Sequence, residues 1–464
     1  MLSALHHKGS VRSICCFSSA PSVAAPEPRS RKATLLRPSP CGLLPAQRMP
    51  NATEPLGSAL PHTAKAIYLD YNGTTPIFPE VAEAMEPFLG ECFGNPSSGH
   101  VYGRRSKRAL DEARGAVATL IGAESPTEVV FTACGTECNN WALAGAALAW
   151  REGHPGATPH VVASAVEHPA VTECLKALAR LGLLCYTLVP VDAEGRVCLE
   201  SLRAALRPGS TAVVSLMHAN NETGALQPVA EAAAAARAAG ALVHCDAAQS
   251  IGKVQVDVNE LGADLLTVVG HKFGAPKGVA ALYIRSGVRL APFLHGGGQE
   301  GGRRAGTESI LLAAGLGAAA ALARAELAAA GAHMAACRDR LQRGLLAAFP
   351  PGATRVNGPS DDAHRLPNTL SIGIRGLSAA AALEALADSL AASSGAACHA
   401  PGGGGDDGGA RISGVLQAMA VPRENALGTL RLSTGRHTTL EEVDRAVAFI
   451  LAEAKRQGIA TVVK

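Results

Sequence analysis

Thr211-Ala-Val-Val-Ser-Leu-Met217, Ala241-Leu-Val-His-Cys245 and Leu265-Leu-Thr-Val-Val269 decide the fold. Each is a short apolar run with β-branched residues and little polar alternation, the pattern of a strand covered on both faces. An Ala-rich helical stretch, residues 229–239, separates the first two. Strand, helix, strand is the repeating unit of a parallel sheet. The same alternation continues outward. Residues 128–132, 160–164 and 280–284 read as further strands, and 139–149, 169–181 and 199–206 as helices between them. Upstream, residues 66–70 form the first strand-like run, followed by helical patterns over 81–89 and 105–121. Downstream, an Ala/Leu-rich helix over about 309–345 leads into a smaller α+β region. The expected fold class is α/β, with a mostly parallel sheet in a large domain and a second, smaller domain. The expected divisions are a tail over 1–50, an arm over 66–80, the large domain over 81–320 and the small one over 321–464.

In an open α/β sheet the ligand sits beyond the carboxyl ends of the strands. Polar clusters recur there: Thr132-Ala-Cys-Gly-Thr136, Glu167-His168, Asn220-Asn-Glu-Thr-Gly224, Asp246-Ala-Ala-Gln249 and Gly270-His-Lys272. One such cluster could be a capped turn, but five on successive strands point to a single polar pocket. Lys272 could be an ordinary solvated lysine or a Schiff-base lysine kept partly neutral by burial and cationic neighbours. Asp246 could cap a helix or hold a pyridine nitrogen protonated; a Schiff-base lysine with such a carboxylate marks pyridoxal phosphate enzymes. Gly135 and Thr136 open a helix whose N–H groups could bind phosphate. His168 could cap the next helix or lie on a cofactor ring. Arg431, in an alternating strand pattern, could be an edge residue or a bidentate partner for a substrate carboxylate.

Composition narrows the classes. Of 464 residues 47% are hydrophobic and 17% charged, which suits a folded chain rather than a disordered one. The net charge of +3 and the 3% aromatic content argue against a nucleic-acid partner. The longest unbroken small-or-apolar run, residues 310–323, is shorter than the ~20 residues of a membrane span. The 12 cysteines show no metal-ligand spacing, so no metal site is expected. Cys398 stands apart from the others: it abuts His399 and precedes the glycine-rich stretch 402–409, a setting for an accessible thiol. Residues 1–50 carry seven Lys or Arg against one Glu, without a long apolar stretch. That pattern reads as a transit peptide to a mitochondrion or plastid, the alternative being a cytosolic protein with a basic tail.

Tyr68-Leu-Asp-Tyr-Asn-Gly-Thr-Thr-Pro76, Gly94-Asn-Pro-Ser-Ser98, Val166-Glu-His168, Asn220-Asn-Glu-Thr-Gly224, Asp246-Ala-Ala-Gln-Ser250, Gly270-His-Lys272, Arg304-Ala-Gly-Thr-Glu308 and Arg431-Leu-Ser-Thr-Gly-Arg436 occur in that order. Together they resemble the class V aminotransferase-like pyridoxal phosphate enzymes, specifically cysteine desulfurases and selenocysteine lyases. The resemblance implies a fold-type-I enzyme with a seven-stranded large sheet, working as a homodimer on an amino-acid substrate. It implies that pyridoxal 5'-phosphate is held covalently by Lys272, with Asp246 at the ring nitrogen, Gln249 at the phenolic oxygen, and His168 stacked on the ring. Asn221 would lie near the phenolic side. Gly135, Thr136 and His271 would bind the phosphate, with Thr307 reaching it from the partner subunit. Arg431 would hold the substrate carboxylate and Cys398 would meet its sulfur or selenium. Val269, where desulfurases of the cluster-assembly type carry serine, and Gly395-Ala-Ala-Cys-His399 resemble selenocysteine lyases. The expected reaction is therefore selenocysteine to alanine with release of reduced selenium. The alternative is cysteine to alanine with a persulfide on Cys398, handed to a sulfur acceptor protein.

Overall fold

A computed structural model describes residues 66–394 and 412–462. The expected leader over 1–50, Cys398 and the glycine-rich stretch 402–409 lie outside the described residues. The described chain opens with β1 (Ile67–Tyr68) and α1 (Pro79–Met85). Residues 81–89 were expected to form one helix. Pro87 lacks the N–H an α-helix interior needs, and from Glu86 to Leu89 the chain instead makes a 3-10 turn. Next comes α2 (Val101–Leu120), which starts four residues earlier than its apolar pattern suggests. His100 caps it by accepting the Gly103 N–H at 3.2 Å.

The large sheet contains β2 (Val129–Thr132), β3 (His160–Ser164), β4 (Cys185–Val189), β5 (Thr211–Met217), β6 (Leu242–Asp246), β7 (Leu265–Val269) and β8 (Ala280–Ile284). Their order is β2-β8-β7-β6-β5-β3-β4. Every neighbouring pair is parallel except the two made by β8. The crossovers are α3 (Gly135–Gly153), α4 (Pro169–Arg180), α5 (Leu199–Ala205) and α6 (Val229–Ala238). Of the seven strands, β4 carries no continuous apolar signal. It lies at the sheet edge, pairs only with β3 and is half-buried, so no burial forces its residues to be uniformly apolar. α3 begins at Gly135 rather than near residue 139, which brings Gly135 and Thr136 into its first turn.

Beyond β8 runs α7 (Ile310–Ala348), 39 residues long. One 18-residue window of it has a mean hydropathy of 1.6, enough for a membrane span by length and composition alone. Parts of it pack inside the protein. Ile310, Leu316 and Ala320 join the core of the large sheet, while Cys337, Leu341 and Leu345 join a second core. The hand-over falls between residues 320 and 337. Its small residues let neighbours approach closely: a Cβ on Gly317 would lie 2.6 Å from the Ala113 backbone of α2.

The second core lies under an antiparallel sheet. Its strands are β9 (Thr354–Asn357), β10 (Thr369–Ile374), β12 (Ser393–Ser394) and β13 (Thr429–Ser433), in the order β12-β13-β10-β9. α8 (Ala379–Ala385) and the short β11 (Leu390–Ala391) precede β12 in the chain. α9 (Gly414–Ala418) and α10 (Arg423–Leu427) precede β13, and α11 (Leu440–Arg456) follows it. β1 pairs in parallel with β11, and Ile67 and Leu69 are buried in this second core. The arm that follows then crosses to the end of β7: the Thr75 N–H reaches the His271 carbonyl and the Phe78 N–H that of Gly274.

Candidate active site

The parallel strands all end at one edge, and a cavity of about 370 Å³ opens there, within the usual size of small-ligand sites. Gly135, Thr136, His168, Asn221, Asp246, Gln249, His271, Lys272 and Arg431 all line it. Thr307 does not; it is exposed. A wider hollow of about 1030 Å³ over Arg114, Arg285 and Glu300 shares no residue with this cavity.

Lys272 sits in a 3-10 turn directly after β7. Its Nζ donates to the carbonyls of Asn72 at 2.7 Å and Gly73 at 2.8 Å, both from the N-terminal arm. Burial, then the positive charge of Arg431, pushes its amine down to about 8 against the pull of Asp246 and Asp70. A neutral amine is the nucleophilic form, so the setting favours attack on a carbonyl.

Asp246 is the last residue of β6 and is almost fully buried. Oδ2 accepts from Asn139 Nδ2 at 2.7 Å and Oδ1 from the Ala248 N–H at 3.0 Å. Behind it a chain of side chains crosses the sheet. Thr267 donates to Asn139 Oδ1 at 2.7 Å, and His244 bridges Thr267 at 3.1 Å and Ser215 at 2.9 Å. Because Oδ1 of Asn139 receives the Thr267 hydroxyl, its NH₂ must face Asp246, which orients the carboxylate.

His168 precedes α4 and caps it, its Nδ1 accepting the Ala170 N–H at 3.1 Å. That bond leaves the hydrogen on Nε2. Burial lowers its basicity, so the ring is neutral and free to lie flat against a second ring. The helix cap and the ring face therefore coexist. His271, bonded through Nδ1 to Thr74 Oγ1 at 3.1 Å, is pushed down to about 4, mainly by burial and then by Lys272.

At the opposite wall α3 presents its first-turn N–H groups. A Cβ on Gly135 would sit 2.5 Å from Val269 Cγ2, so only glycine allows this approach. The first turn is tied down by Glu137, which accepts the Ala133 N–H at 2.7 Å and pairs with both ends of Arg304 at 2.8 and 3.1 Å. Arg431, on β13, donates to the Asn221 carbonyl at 3.2 Å and to Ser393 Oγ at 2.9 Å. It also pairs with Asp70 at 2.7 Å.

The donor set fits pyridoxal phosphate. A partly neutral lysine, a buried carboxylate held by an amide, a neutral imidazole and a glycine-opened helix N-terminus surround one cavity. These match, in turn, an aldehyde, a pyridinium, an aromatic face and a phosphate. Asn139, Thr267 and Lys253 escape motif reading, and the roles of Asn72 and Asp70 inside the Tyr68–Pro76 motif go unread, because these residues meet partners 107 to 361 positions away.

Comparison with known proteins agrees with this geometry. The family model described as Aminotransferase class-V matches residues 67–446. Cysteine desulfurase 2 of Trichormus variabilis is 44% identical over 385 residues, covering 83% of this chain and 92% of the relative. Cysteine desulfurase NifS of Azotobacter vinelandii is 43% identical over 382 residues, covering 82% and 90%. Among solved structures, a NifS-like protein superposes with a TM-score of 0.75 at 34% identity, covering 84% of this chain and all of that one. The chain is thus a fold-type-I enzyme of the pyridoxal-phosphate-dependent class. It belongs to the class-V aminotransferase family, alongside relatives named cysteine desulfurase.

Proposed function

We propose that this protein is a pyridoxal-phosphate-dependent cysteine desulfurase, converting L-cysteine to L-alanine and keeping the sulfur as a persulfide on Cys398. The observation that carries the reading is the convergence of Lys272, Asp246 and His168 on one cavity in a chain whose relatives bear the desulfurase name. Selenocysteine, the substrate that Val269 and the residues around Cys398 favour, becomes the second reading. Its support is that the side chain packed on Gly135 is the aliphatic Val269.

Bound in the cavity, pyridoxal phosphate supplies an aldehyde for the amine and a ring that accepts the electron pair left when the α-proton departs. Lys272 would hold it covalently and would take the substrate α-proton, as a lysine pushed down to about 8 can at neutral pH. Asp246, oriented by Asn139, would keep the ring nitrogen protonated, and His168 would stack on the ring. Gly135, Thr136 and His271 would hold the phosphate, joined by Thr307 of a second copy in a homodimer. Gln249 and Asn221 would hold the phenolic side, and Arg431 would bind the substrate carboxylate. The Cys398 thiol gains the substrate sulfur while the substrate carbon gains a proton, so thiol plus cysteine gives persulfide plus alanine in balance. An acceptor protein then takes the sulfur. Residues 1–50 would direct the chain to an organelle.

The test is alanine release from cysteine and from selenocysteine, by the wild type and by Cys398→Ala, with a thiol reductant present. A desulfurase loses cysteine turnover on the substitution and traps a labelled persulfide in the wild type. Preference for selenocysteine, with activity surviving Cys398→Ala, would instead establish the second reading.

A further inference from the structure

Lys253 is a buried lysine, 6% exposed, with no acidic partner among the described residues. Burial, then the positive charges of Lys272 and Arg431, pushes its amine down to about 7, and its hydrogens still need partners. Here they have three acceptors: the Gln249 carbonyl at 3.0 Å, Gln249 Oε1 at 3.0 Å and Asn72 Oδ1 at 3.5 Å. Two of the three belong to a single residue, and that residue lines the cavity.

The consequence falls on the Gln249 carboxamide. An amide can present either its oxygen or its NH₂, and the two ends have nearly the same shape. The three atoms facing Nζ are all oxygens, so Lys253 donates to the amide and Oε1 must face it. On the other side Nε2 donates to the Asn72 carbonyl at 3.0 Å, an atom that can only accept. Both neighbours therefore select one orientation. The second Nε2 hydrogen has no acceptor among the described residues. The same Asn72 carbonyl also receives Lys272 Nζ at 2.7 Å, so the row Lys253, Gln249, Asn72, Lys272 is continuous. Asn72 is itself fixed by Asn368 Nδ2 on its Oδ1 and by its own Nδ2 on Thr369 Oγ1.

We propose that Lys253 is a positioning residue: it locks the Gln249 carboxamide so that the cavity meets an N–H donor there, directed at the phenolic oxygen of the ring. This rests on the reading above that the cavity takes pyridoxal phosphate. Without Lys253 only the Asn72 carbonyl still selects, so the flipped orientation becomes less costly and part of the binding energy goes into excluding it.

The experiment measures affinity rather than turnover. Cofactor-free wild type, Lys253→Met, Gln249→Ala and the double variant are titrated by equilibrium dialysis. The two ligands are pyridoxal phosphate and its 3-deoxy analogue, which lacks the phenolic oxygen. Lys253→Met should weaken pyridoxal phosphate about tenfold. It should leave the deoxy analogue unchanged and add nothing on top of Gln249→Ala. Equal losses for both ligands, or additive losses in the double variant, overturn the proposal, because Lys253 would then support the fold generally. Unchanged affinity for pyridoxal phosphate in Lys253→Met overturns it while leaving the cofactor reading intact. Failure of the wild type to bind either ligand overturns the reading and the proposal with it. If Lys253→Met does not fold, Lys253→Gln replaces it: it keeps a polar end but cannot supply three hydrogens, and the same selective loss is expected.

Discussion

Arg431 and Asp70 form an ion pair of 2.7 Å at the wall of the cavity, with Ser393 Oγ bonded to both at 2.9 and 3.0 Å. The guanidinium proposed to receive a substrate carboxylate thus already holds one. A substrate must either displace Asp70 or bring a second negative charge beside it. Asp70→Asn removes that charge and keeps the shape, so KM for the amino acid should fall several-fold with little change in kcat. Steady-state kinetics at two salt concentrations checks this. A raised KM would show that Asp70 aims Arg431 rather than competing for it.

The lysine at the centre of the site gives a pH dependence with a definite sign. Lys272 is pushed down to about 8 from the ordinary 10.5, first by burial and then by Arg431. Between those values the unfolded chain binds a proton that the folded chain does not, so folding stability contributed here rises with pH across the window. In denaturant unfolding of the cofactor-free protein, wild type should gain on Lys272→Met between pH 8 and pH 10 by on the order of 2 kcal/mol. A constant difference would mean that the amine titrates normally.

Thr267 links Asn139 to His244 beneath Asp246. Thr267→Val keeps the volume but strips both neighbours of a buried partner. It should lower stability by about 1–3 kcal/mol, read as a drop in Tm. It should also loosen Asp246 and so lower kcat more than it raises KM. A variant as stable and as fast as wild type would remove this chain from any role in holding the carboxylate.

Val269 packs on Gly135 at the wall proposed for phosphate. Val269→Ser removes both methyls and puts a hydroxyl donor at the end of β7. If the phosphate lies there, pyridoxal phosphate should bind about fivefold more tightly, the worth of one added hydrogen bond. Pyridoxal without phosphate should be unaffected. Equal effects on both ligands would move the phosphate elsewhere.

Much of this was readable in the residues. The buried strands β5, β6 and β7 announce themselves because a strand covered on both faces must be apolar throughout. Lys272, Asp246 and His168 stand out as polar residues at the ends of such strands. β4 escapes notice because an edge position relaxes that demand. Lys253 and Asn139 are lost in helical or turn sequence, where a lysine or asparagine is ordinarily solvated. Only the fold brings them against Gln249 and Asp246. The choice between sulfur and selenium turned on local wording around Val269 and Cys398, whereas the relatives as whole chains carry the desulfurase name.

The arm that begins the fold has a consequence for how the protein is made. Asn72 bonds to Ser433, 361 positions away, and its carbonyl receives Lys272, 200 positions away. Asp70 likewise waits for Arg431. A ribosome delivers these arm residues first and their partners minutes or seconds later, so the earliest-made part of the fold is among the last to find its place. A chain halted before β13 would own its lysine, its aspartate and most of its large sheet, yet lack the strand that fastens the arm over them. Nascent chains therefore carry the chemical groups well before they carry a finished pocket, which waits until synthesis has passed Arg431.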